Sequence, residues 1–176
     1  TTCTTLTTAS FTITSSANRA ALIGMAFGDN LVSDITASCG GTSGALVTGT
    51  DSGTARFTRS MIFGVTAPPS GAQTCTVSWT VSLELDLGVA TASGVDQTTS
   101  FNNGTFTSGT NSAPSVTITS TNGDLTHDAI SEQDVPSGNN QTQTWNIVGV
   151  CCGSAGSRGP GTGTTTHSWA LTGSDW

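Results

Sequence analysis

Apolar residues in this chain recur at every second position and nowhere at helical spacing. Cys75, Val77 and Trp79 alternate with threonine and serine, Leu83, Leu85 and Leu87 with Glu84 and Asp86, and Val116 and Ile118 with threonine. A strand sends successive side chains to opposite faces, so this period demands sheets with one face buried. The pattern predicts ten or eleven strands, in the segments 10–14, 20–27, 32–37, 45–50, 55–66, 74–80, 83–90, 115–119, 125–131, 142–150 and 164–172. The run 20–27 is apolar throughout and reads as a central strand. Pro68 and Pro69 end the strand before them, because proline has no N–H for a ladder. Segments 94–114 and 152–163, the second rich in glycine and serine, read as loops. The expected fold is all-β: a single antiparallel β-sandwich of jelly-roll or immunoglobulin-like type.

Composition narrows the function. The chain has no lysine and no tyrosine, only four basic against eleven acidic side chains, and a net charge of −7. The scattered Arg19, Arg56, Arg59 and Arg158 form no basic patch, so nucleic acid is excluded as a partner. No apolar stretch of about 18 residues is present, so no membrane span is expected. A threonine-rich, weakly charged surface and a first residue that is not methionine fit a secreted, extracellular protein whose leader has been removed, or a fragment. Five cysteines, Cys3, Cys39, Cys75, Cys151 and Cys152, show no CxxC pair or zinc spacing, and no cofactor is expected. Disulfides are one reading, buried small apolar residues the other. An odd count leaves one thiol over, and Cys3 is the candidate for an intersubunit bond to Cys151 or Cys152.

Catalytic chemistry is weakly signalled. A glycosidase needs two carboxylates about 5–10 Å apart. The only glutamates are Glu84 and Glu132, and Glu84 faces away from the leucines around it. His127 and His167 lie in strand-like segments without a nucleophile-elbow motif, and read as exposed strand histidines. Asp29, Asp34, Asp51, Asp96 and Asp124 fall in turns, where aspartate normally caps its own backbone rather than holding calcium. Trp145, Trp169 and Trp176, if exposed, are the aromatics for stacking on sugars. Asn103 and Asn140 begin N-glycosylation sequons and are the candidate sites for covalent glycans.

Several segments share an order with known domains: Ser16-Ala-Asn-Arg-Ala20, Ala67-Pro-Pro-Ser-Gly71, Ser93-Gly-Val-Asp-Gln-Thr-Thr99, Gly123-Asp-Leu125, Gln141-Thr-Gln143 and Gly173-Ser-Asp-Trp176. In this order the chain resembles a family of poorly characterised β-sandwich domains in secreted bacterial and phage-associated proteins. The resemblance implies a jelly-roll-type sandwich and a surface or adhesin role. It also implies a final apolar strand after Trp176. Either the domain lacks that strand or the sequence is part of a longer one.

A missing strand would leave a groove that another chain can fill. Residues 1–13 are uncharged and β-prone, with Leu6, Phe11 and Ile13 as the apolar side chains. Burying each of these contributes about 1.5–3 kcal/mol. The expectation divides the chain into a 1–13 arm, acting as donor strand or as the domain's own first strand, and a 14–176 sandwich. Leu6, Phe11 and Ile13 would meet Trp169, Leu171 and Trp176 across subunits. The expected protein is not an enzyme but a structural subunit of an extracellular filament, its partners copies of itself. The alternatives are a monomeric adhesin or carbohydrate-binding module, and last a glycan-active enzyme.

Overall fold

The structure, a computed structural model, describes residues 3–28, 34–49, 58–132, 136–148, 153–172 and 176. These residues contain no helix, and every strand pairing among them is antiparallel. The first part of the chain forms β1 (Cys3–Thr7), β2 (Phe11–Ile13), β3 (Ala20–Phe27), β4 (Thr36–Cys39), β5 (Thr42–Ser43), β6 (Ala45–Thr48), β7 (Arg59–Thr66), β8 (Gly71–Gln73), β9 (Cys75–Leu83) and β10 (Leu85–Ala92). After a long loop come β11 (Ser115–Thr119), β12 (Leu125–His127), β13 (Ile130–Glu132), β14 (Pro136–Asn139), β15 (Thr142–Val148), β16 (Gly153–Pro160) and β17 (Thr164–Leu171). The expected ends at 32–33, 50, 55–57 and 149–150 lie outside the described residues.

The strands make four main sheets in the orders β1-β9-β4-β5, β10-β3-β7-β6, β11-β17-β14 and, around β16, β12 and β13 on one side with β15 on the other; β2 pairs β8 separately. Only Glu84 separates β9 from β10, so one nearly continuous strand crosses from the first sheet to the second, as at a sandwich corner. The strands are more numerous and shorter than the periodicity predicts. The expected strand 125–131, for example, breaks into β12 and β13 at Asp128, whose carboxylate turns inward to Ser157.

Two hydrophobic cores follow from the alternation. In β3, Ala21, Ile23, Met25 and Phe27 face the β9 sheet and meet Cys39, Val77 and Trp79. The second core joins Ile130 and Ala155 to Trp169 and Leu171 of β17. The other face of β3 is buried as well: Gly24 lies under the ring of Trp145 from β15. That double burial is why 20–27 is apolar throughout.

Segment 152–163, expected as a loop, instead supplies β16, the central strand of its sheet. Its glycines and serines are required by its position between two layers. Gly156 lies beneath the Trp145 ring, and on the opposite face Ala155 enters the second core while Ser157 bonds Asp128. Small side chains here signal close packing on both faces rather than a flexible connection.

Candidate functional site

The layers do not close completely. A cavity of about 790 Å³ opens between the outer face of β3, β7 and β10 and the β11–β13 region. Trp145 lies next to the cavity, behind His127. Its ring occupies the places where β-carbons of Gly24, Gly88 and Gly156 would sit, and Gly24 and Gly88 are direct cross-strand partners. Beyond the ring, the strands present small side chains to the gap, among them Ala20, Ala90 and Ala92. Phe101, Phe106 and Trp176 line the cavity too, and Phe106 is 57% exposed. Trp176 is fixed by a pair of backbone bonds to Gly109, 3.2 Å and 3.1 Å long.

His127 also lines the cavity and stacks on Trp145, ring centroids 5.4 Å apart at 22°. Both its ring nitrogens are buried without a hydrogen-bond partner. Burial outweighs the neighbouring Asp128 carboxylate and pushes its pKa down to about 4. The ring is therefore neutral at pH 7.

A serine, a histidine and an aspartate meet in the second core. Asp128 Oδ1 accepts from the Ser157 N–H at 2.6 Å and the Ser157 hydroxyl at 2.8 Å, and Oδ2 accepts from Trp169 Nε1 at 2.6 Å. His167 Nδ1 lies 3.0 Å from Ser157 Oγ and 3.5 Å from Asp128 Oδ2. His167 Nε2 lies 3.0 Å from Thr126 Oγ1, whose hydroxyl donates to the Gly159 carbonyl. Burial pushes the Asp128 carboxyl up, but His167, Trp169 and Ser157 more than offset it and hold it below the usual range. The hydroxyl proton of Ser157 is thus directed to Asp128 and that of Thr126 to Gly159, so neither hydroxyl is poised to give its proton to His167. A general base must instead accept the nucleophile's proton. Ser157, 0% exposed, is not activated by this arrangement. The cluster joins β12, β16 and β17 as a buried polar staple.

These positions correct two readings. His167 is 1% exposed, and His127 is partly buried between layers, so neither is an exposed strand histidine. Trp169 is 6% exposed and spends its N–H on Asp128, and Trp145, half-buried, has its ring packed against Gly24, Gly88, Gly156 and His127, so neither presents a free ring face as a sugar platform. The one available clue to the polar cluster was that Asp128, Ser157 and His167 occupy segments otherwise populated by small or apolar residues.

The six interface candidates separate into two groups. Leu6 and Phe11 pack against the first core, and Ile13 is 1% exposed. Trp169 and Leu171 belong to the second core, with Trp176 packed against it. Within one chain, Cys3–Thr7 lies along β9 and Phe11–Ile13 along β8. Among the described residues β1 is an edge strand whose only pairing is with β9.

Cys39 and Cys75, direct partners between β4 and β9, form a disulfide with Cα atoms 4.1 Å apart. The side chain of Cys3, and Cys151 and Cys152 entirely, lie outside the described residues. Asn140 is bound along β17: its Oδ1 accepts from Ser168 N and its Nδ2 donates to the Thr166 carbonyl. Asn103 Nδ2 donates to the Thr119 carbonyl at 3.0 Å. Both sequon nitrogens are exposed but engaged. Asp96 and Asp124 accept from backbone N–H groups of Thr98 and Thr121 in their own turns. Asp29 and Asp51 lie outside the described residues. No group of three metal-ligating side chains occurs among the described residues.

Comparison with protein-family models, curated proteins and solved structures returned no match.

Proposed function

We propose that this chain is a structural subunit of an extracellular filament, of bacterial or phage origin, joined by exchange of β1 between neighbouring copies. The observation that carries this reading is the placement of β1. It is a five-residue, uncharged edge strand, bonded to β9 alone among the described strands and linked to β2 by residues 8–10. Its backbone ladder and its Leu6 contact with the first core can be remade identically on the β9 of another copy. Exchange then changes connectivity without losing contacts, and a head-to-tail exchange that does not close gives a fibre. Concentration favours the exchanged form. The resemblance to jelly-roll-type surface domains belongs with this proposal, as do copies of the chain as partner and covalent glycans on an external surface.

Negative-stain microscopy across a concentration series tests it. Filaments are expected from the intact chain and are expected to vanish when residues 1–7 are deleted. Isolated particles at every concentration, or filaments that persist without residues 1–7, overturn it.

A second reading, a cell-surface binding module, is supported by the cavity between the layers. It requires saturable ligand binding by the monomer.

A further inference from the structure

Protein interiors are normally packed as densely as organic crystals. A partly open cleft of about 790 Å³ is nevertheless left between layers that elsewhere interlock. Its size lies within the range of small-molecule sites, roughly 300–1,000 Å³, and such sites commonly lie between packed units of a fold. Beside it, the Trp145 ring packs against Gly24, Gly88 and Gly156.

The walls define the occupant. Leu22, Ile62, Phe101, Val116 and Ile118 are apolar. Against them stands His127, with two buried and unpartnered ring nitrogens. A neutral imidazole offers one donor and one acceptor. A hydroxyl group, which donates and accepts, answers both; Arg158, Asp96 and Asp124 also line the cavity, so charge of both signs is present and a ligand of either charge would face a like charge as well as an opposite one. Trp176 Nε1 adds a second buried donor without a partner. A β-strand from another copy fits less well. The neighbouring edge strand β11 already has its Thr119 carbonyl occupied by Asn103, at the point where an added strand would pair.

We infer that the cavity is a binding site for an uncharged, largely apolar small molecule bearing a hydroxyl group, seated against His127. This inference rests on the binding-module reading and is independent of β1 exchange.

The test uses two neutral probes of nearly equal shape, 1-pyrenemethanol and 1-methylpyrene, titrated into the intact protein and read by energy transfer from tryptophan. Saturable one-to-one binding of both is expected, the alcohol binding about fivefold to tenfold more tightly, the yield of one well-placed hydrogen bond. His127→Phe keeps a ring on Trp145 and is expected to bring the affinity ratio of the two probes to about one. Ala90→Trp, which projects an indole into the cavity, is expected to weaken binding of both. Absence of saturable binding, a preference that survives His127→Phe, or binding unaffected by Ala90→Trp overturns the site. Loss of self-association rather than probe binding in Ala90→Trp assigns the cavity to a protein segment and overturns it equally. The wild-type comparison needs no variant, so a misfolded substitution does not leave the question open.

Discussion

Trp145 rests on Gly88: the indole from β15 fills the space where a β-carbon on β10 would be. Gly24, directly across the ladder, and Gly156, the cross-strand partner of Trp145 itself, complete the seat. None of the three needs a left-handed backbone, so their requirement for glycine is steric. This contact joins the two halves of the chain beside the cavity.

Gly88→Ala is therefore expected to destabilise the fold by about 1–3 kcal/mol, because neither the ring nor the two strands can yield freely. Gly138→Ala is the control. A β-carbon there meets nothing within 4 Å, and its effect is expected within about 0.5 kcal/mol. Urea denaturation of both variants reads the difference.

His127 makes stability depend on pH. Its folded pKa, about 4, lies below the ordinary 6.5, so the unfolded chain binds a proton first as pH falls. The contribution is complete above pH 6.5 and is lost as pH falls towards 4, an order of 3 kcal/mol for a shift of this size. Denaturation midpoints between pH 7 and 4 should show this slope, and His127→Phe should flatten it.

Asp128 governs a second, more acidic limb. Its folded carboxyl titrates below the ordinary 3.8, so its contribution is present above that value and disappears as pH falls through the lower folded one. Asp128→Asn leaves the Ser157 and Trp169 donors competing for one carbonyl oxygen. A loss of about 2–4 kcal/mol at pH 7 is expected, with the limb below pH 4 diminished, both measurable by urea denaturation.

The Cys39–Cys75 bridge closes a loop of sequence separation 36. Replacing both cysteines by alanine is expected to cost about 2–4 kcal/mol, chiefly by freeing the unfolded chain. Chemical denaturation of the double variant against the oxidised parent measures it.

Thr5 and Ser78 face each other across β1 and β9, their hydroxyl oxygens 3.2 Å apart. Thr5→Cys with Ser78→Cys turns that pairing into a covalent record. Exchange between copies predicts a ladder of multimers on non-reducing gels, above any seen without the two substitutions. Closure within each chain would leave the added bond intramolecular and would count against β1 exchange.

The sequence by itself determined the class of the fold, because a two-residue period cannot bury its apolar face in a helix. Cys75, Val77 and Trp79 show one buried face, and the unbroken run 20–27 shows two. What occupied the second face of that run was not legible, since it depends on Trp145, over a hundred residues away. The same limit misplaced β16. Glycine and serine carry no periodic signal, and only its position between two layers makes small residues necessary there. His167 likewise resembled any strand histidine until folding brought Asp128, Ser157 and Thr126 around it. Local alternation reports which face is buried; the tertiary structure alone decided what it is buried against, and so created both the polar staple and the cavity.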